Sequence, residues 1–267
     1  MNMKRILRFP ILSLTVIAIL ALSWVPVNPE SDPNLLPEKE SVVSAATVLD
    51  NQVRITYENL QLERHGLSFD VFEKAYTGYL NLQYSDKVRS DASVLSIADF
   101  SISSKKKRLW IVDLDKGELL MNTWVSHGRG SGGDIATDFS NTVNSHQSSL
   151  GFYVTGEVYY GKHGRSLRLD GMDQGFNSRA RERAIVVHGA SYVSAQAIKN
   201  LNRLGLSHGC PAVPLELTDQ IIDIVKDKTV LYVHADEPKY RSVYLDSETA
   251  GKHLLARAES AGLQAAL

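Results

Sequence analysis

Between Arg108 and His234 the chain is cut into short apolar runs, each too brief for a typical helix and separated from the next by glycine-bearing loops. Arg108–Leu114 and Glu118–Val125 flank Asp115-Lys116-Gly117, a hairpin signal. Gly151–Val158, Ser166–Leu169, Arg183–His188 and Thr229–His234 continue the strand-like series. Helical spacing interrupts it near Ser194–Leu204 and near Glu216–Lys226, where Leu217, Ile221, Ile224 and Val225 are the apolar positions. Regular βα alternation is missing, so the expected architecture is mainly β with packed helices (α+β), not a doubly wound sheet.

Helical spacing also marks the flanks. From Val53 to about Leu82 the pattern predicts a helical lead-in, with Ser68 capping a helix that carries Phe69, Phe72, Tyr76 and Leu80. Residues 246–267 predict a tail helix built on Leu254, Leu255, Ala258 and Leu263. The resulting plan is a linker over 28–50, a helical lead-in over 51–90, a catalytic domain over 91–236 and a tail over 237–267. Pro29, Pro33 and Pro37 among four acidic residues make the linker extended.

The first 27 residues follow other rules. Lys4, Arg5 and Arg8 precede an uncharged stretch from Phe9 to Val27 that is apolar at most positions. As a helix it would be about as long as a bilayer's hydrocarbon core is thick, and its centre also has signal-peptide length. Cleaved signal peptide and retained membrane anchor (through residues 6–27) both stay open, and either one puts the remainder in an exported space, the periplasm or cell envelope.

Charge excludes one class of partner. A net charge of −1, with no clustered basic face, argues against nucleic acid, whose binding rests on counterion release by such a face.

Cys210 is the only cysteine, so no intrachain disulfide exists. An odd Cys in an exported chain is a free reactive thiol or an intermolecular bridge. Its setting, Ser207-His208-Gly209-Cys210-Pro211, has nucleophile chemistry within reach. Gly209 permits a tight turn, the N–H groups of Gly209 and Cys210 are candidate oxyanion donors, and His188 or His208 could lower the thiol pKa or take its proton. His188 closes an apolar strand and is the better general base; the Gly189 carbonyl would fix its tautomer. Competing readings are a small buried apolar Cys, or zinc held by His188, His208 and Cys210; the second lacks the usual four ligands. Histidines 127, 146, 163, 234 and 253 read individually as surface or loop residues.

The order of these motifs carries a resemblance. His188-Gly189 followed by Arg203-Leu204-Gly205 and Ser207-His208-Gly209-Cys210-Pro211-Ala212-Val213 resembles the YkuD-type murein L,D-transpeptidase catalytic domain, in its Cys-Pro-Ala subgroup. Trp110–Gly117, Val125–Gly132, Ser149–Tyr153 and Gly161–Leu167 resemble that subgroup's upstream pieces, so the resemblance covers roughly residues 90–235.

It implies a β-rich core acting on peptidoglycan stem peptides without metal or organic cofactor. Cys210 would be the nucleophile, His188 the base and Gly189 its orienter, with Ser207, His208 and Gly209 shaping the nucleophile loop. His127, Tyr153 and Arg203 are weaker candidates for substrate contact. Many members carry an apolar residue and then Arg or Asn after the Cys, where this chain has Pro211 and Ala212; Arg203 or the Arg179/Arg181/Arg183 cluster is the candidate replacement charge. The implied activity is acyl transfer through a Cys thioester to an amine. The alternatives are hydrolysis of that thioester by a carboxypeptidase or endopeptidase, and a non-catalytic wall-binding module.

Overall fold

A computed structural model describes residues 44–260. The apolar run and most of the linker lie outside them. Among the described residues no helix is long and apolar enough to cross a membrane.

The chain opens with α1 (Ala45–Asn59) and α2 (Phe69–Tyr84). Then come β1 (Val94–Asp99), β2 (Leu109–Asp113), β3 (Glu118–Thr123), β4 (Gly151–Gly161), β5 (Gly164–Gly171) and β6 (Val186–Ala190). The rest is α3 (Ala195–Leu201), β7 (Ala212–Pro214), α4 (Thr218–Val225), β8 (Val230–His234) and α5 (Ser247–Ser260). The mainly β expectation with packed helices holds.

The eight strands among the described residues form one sheet in the order β3-β2-β1-β8-β4-β5-β6-β7. Its two ends approach each other: just past β3, Ser126 exchanges hydrogen bonds with Ala212 of β7, at 2.8 and 3.3 Å. That bridge curls the sheet toward a barrel and uses backbone groups that an open edge leaves unpaired.

Strand alternation divides the core in two. Ile97, Trp110, Val112, Phe152, Val154 and Tyr232 face the layer formed by α1, α2 and α5. Their neighbours Ala98, Leu109, Ile111, Tyr153, Leu231 and Val233 face the opposite way, toward Ile221, Ile222 and Val225 of α4. Central strands buried on both faces read as unbroken apolar runs, because neither side meets water.

The predicted Ser68 cap is present: its side chain accepts from the Val71 N–H. Helix α1, however, begins at Ala45, inside the segment expected to be linker, with Ser44 as its cap. The reason is tertiary. Helix α5 packs on α1 so closely that a Cβ on Gly251 would stand 1.9 Å from the Ala45 carbonyl oxygen. Two strands had no clear signal: β1, and the three-residue β7 directly after the cysteine.

Candidate active site

Strands β6 and β7 run parallel, with His188 opposite Ala212. Cys210 stands two residues before Ala212, so the strand pairing sets Cys210 and His188, 22 positions apart in sequence, at the same end of these two strands. Both line a cleft of about 510 Å³, which Ser207, His208, His146, Lys162, His163, Arg183 and Tyr192 also border.

The turn ahead of Cys210 is held from both sides. Ser207 N–H donates to the His127 carbonyl (2.9 Å), and Arg129 N–H donates to the Ser207 carbonyl (2.8 Å). The Ser207 hydroxyl donates to the Cys210 carbonyl (2.7 Å) and accepts from Gly209 N–H (3.1 Å). Gly209 has φ +118°, and a Cβ there would meet the Gln147 carbonyl oxygen at 2.7 Å, so only glycine fits. Since Gly209 N–H is engaged by Ser207, it is not the free oxyanion donor expected from sequence. The Cys210 N–H has no acceptor among the described residues.

His188 Nδ1 lies 3.0 Å from the Gly189 carbonyl oxygen. A carbonyl only accepts, so Nδ1 carries the proton and Nε2 is the basic nitrogen. Gly189 is itself constrained: a Cβ would stand 2.0 Å from Thr218 Oγ1 at the start of α4. From the β4–β5 hairpin, His163 lays its ring on His188, with centroids 4.2 Å apart and planes 22° apart.

Burial pushes the Cys210 thiol above its ordinary pKa, against smaller downward pulls from the Val186 backbone amide, Arg183 and Lys162. Burial lowers His188; the Gly189 carbonyl partly offsets this, and His163 and Lys162 add to it. At neutral pH the pair is therefore thiol and neutral imidazole. The sequence expectation that histidines would lower the thiol pKa fails here, because burial outweighs the local charges.

Three candidate substrate contacts are elsewhere. His127 is fully buried, its Nδ1 2.7 Å from Arg108 Nη2; burial first and Arg108 second hold its pKa down at about 4. Tyr153 points into the α4-side core and donates its hydroxyl to the Ser149 carbonyl at 3.1 Å. Arg203 donates to the Leu204 carbonyl (2.7 Å) and does not line the cleft. Of the arginine cluster only Arg183 reaches it. Arg181 pairs with Glu157 and Asp170, and Arg179 with Glu182.

Sequence reasoning missed His146 and His163 as cleft residues, and missed Lys162. His146 packs edge-on against His208, ring centroids 4.5 Å apart. Of the other histidines, His234 is buried on β8 and His253 packs against Tyr84. A readable signal for the hairpin was Gly161-Lys162-His163-Gly164: two chemistry-bearing residues alone in a glycine-flanked turn, where loops tend to carry function.

The L,D-transpeptidase catalytic domain family matches residues 63–234. The chain belongs to that family. No curated protein sequence matches it. Solved structures similar to it include an L,D-transpeptidase from Mycobacterium smegmatis, with 15% identity, TM-score 0.33, and 54% of this chain and 59% of that one covered. Another is the L,D-transpeptidase of Xylanimonas cellulosilytica, with 17% identity, TM-score 0.32, and 55% and 62% covered. The helical cell shape determining protein Pgp2 of Campylobacter jejuni is 14% identical, TM-score 0.34, with 70% and 65% covered. The chain spans about three fifths of the length of the first two. As a member of that family the domain carries His188 on β6 and Cys210 in the turn that leads into the parallel neighbour β7.

Proposed function

We propose that the protein is a peptidoglycan L,D-transpeptidase in which Cys210 is the nucleophile and His188 the general base. The single observation that carries this reading is the shared cleft of Cys210 and His188, with Nε2 left basic by the Gly189 carbonyl.

Cys210 Sγ bonds to the scissile carbonyl carbon of a stem peptide as its proton passes to His188 Nε2. The tetrahedral intermediate collapses, the C–N bond breaks, and His188 returns the proton to the departing amine. An acceptor amine then attacks the thioester, giving its proton to His188, and the thiolate leaves and is reprotonated. One difficult acyl transfer becomes two easier ones. The Cys210 N–H is the donor available to the developing oxyanion, while Ser207 and Gly209 hold the turn that presents it. The basic flank and apolar run of residues 4–27 support export of the domain to the side of the membrane where peptidoglycan lies.

Intact mass after mixing the full chain with a disaccharide-tetrapeptide tests the chemistry. A Cys210-linked acyl adduct, absent from Cys210→Ala, is the expected result. A folded protein with a reactive thiol and no adduct would overturn the reading. Products formed with and without an amine then separate transfer from hydrolysis.

A further inference from the structure

The walls of the cleft carry two fixed positive charges, Arg183 and Lys162, and the first is already committed. Arg183 spends its guanidinium on the loop opposite, donating to the Ser140 carbonyl (2.6 Å), the Gln147 carbonyl (2.5 Å), Ser145 and Ser149. Glu182, the cleft's carboxylate, is held by Arg179 at 2.7 and 2.8 Å. The ring of His188 is held by Gly189 and covered by His163.

Lys162 is different. It occupies the two-residue tip of the β4–β5 hairpin, where Gly161 pairs with Gly164, and it lines the cleft. Among the described residues no carboxylate lies within salt-bridge distance of it. The stacking of His163 on His188 holds this exposed tip against the wall of the cleft. The charge of Lys162 is felt by Cys210, His188, His208 and His163 alike.

An acyl transfer that expels a terminal amino acid places a carboxylate one residue beyond the scissile bond. A cation meant to recognise it must therefore stand beside the Cys–His pair, as this lysine does. We propose that Lys162 is a specificity-determining residue that binds the C-terminal carboxylate of the donor peptide; this rests on the acyl transfer proposed above. Peptides lacking that carboxylate are correspondingly poor ligands.

The test separates binding from chemistry. In full-length Cys210→Ala protein, calorimetry at low salt compares a stem tetrapeptide ending in D-alanine with the same peptide amidated at its C-terminus. The expected result is about tenfold tighter binding of the acid, the size of one charge-assisted hydrogen bond. Adding Lys162→Met should abolish the difference, Lys162→Arg should keep most of it, and salt should erode it. Equal binding of acid and amide, a preference that survives Lys162→Met, or no binding of either peptide would each overturn the proposal. Failure of the acyl-transfer reading looks different: the carboxylate preference and its dependence on Lys162 are intact, yet the Cys210 protein forms no adduct.

Discussion

His163, at the tip of a hairpin, lies nearly face to face with His188 on a neighbouring strand, ring centroids 4.2 Å apart. His163 is exposed and makes no part of the core, so its removal should leave the fold intact while freeing the imidazole of its cover. His163→Ala is expected to lower kcat/KM by about tenfold through misplacement of His188, the proposed base. His163→Phe should restore most of the rate, since it restores the stack. Steady-state kinetics with unchanged thermal melting is the check, and a His163→Ala enzyme with wild-type kcat/KM would show that the stack positions nothing.

The protonation states of the pair set a pH profile. His188 is depressed below the ordinary histidine pKa of 6.5 and Cys210 raised above the ordinary thiol value of 9.0. The proposed acylation needs neutral His188 as its base, so kcat/KM should fall as pH drops through a pKa lower than 6.5 and hold steady through neutrality. Alkylation of the free enzyme by iodoacetamide should accelerate only above pH 9. An acid limb centred at or above 6.5, or rapid alkylation at pH 7, would contradict a neutral thiol–imidazole pair.

His127 makes stability pH-dependent away from the chemistry. Its pKa is about 4 in the folded chain against 6.5 when free. Below pH 6.5 the unfolded chain therefore takes up a proton that the folded chain refuses, and stability declines until about pH 4, where both forms are protonated. The whole loss is ~3 kcal/mol by linkage. His127→Asn keeps an acceptor for Arg108 without titrating. Urea unfolding at pH 7 and pH 4.5 should show a smaller loss in that variant, and an identical loss would place the acid sensitivity elsewhere.

Gly209→Ala puts a methyl group 2.7 Å from the Gln147 carbonyl in a backbone conformation with φ +118°. The strain costs about 1–3 kcal/mol and shifts Cys210, so a loss of roughly 100-fold in kcat is expected. Single-turnover acylation reads the chemical step directly; an unaltered rate would mean that the turn does not position the sulfur.

Gly78→Ala tests the seating of α2 on the sheet. A Cβ there would stand 2.0 Å from Cζ of the buried Phe152, which stacks on Tyr232. Overpacking of this kind costs about 1–3 kcal/mol. A lower Tm with an unchanged rate for the folded fraction is expected; a stability equal to wild type would mean that helix and strand part easily.

Much of the secondary structure was legible because its signals are local. The Ser68 cap, the hairpin turn at Asp115-Lys116-Gly117 and the helical spacing of Ile221, Ile224 and Val225 need only neighbours a few residues away. Strand β1 was not legible, since the buried Ser96 and Asp99 interrupt its apolar run and its parallel partner β8 is more than a hundred residues distant. Nor was the start of α1, which depends on close packing by α5 at the other end of the described chain.

The sequence by itself determined the chemistry available: one cysteine, a glycine ahead of it, and a histidine followed by glycine at the end of an apolar strand. Only the tertiary structure decided how that chemistry is arranged. Parallel pairing of β6 with β7 places His188 and Cys210 on one cleft, and the β4–β5 hairpin delivers Lys162 and His163 to the same cleft. It also withdrew His127 and Tyr153 into the core and left the thiol protonated. The physical reason is that burial and strand register are properties of chain segments distant in sequence, and the pKa of each group follows from the surroundings they create.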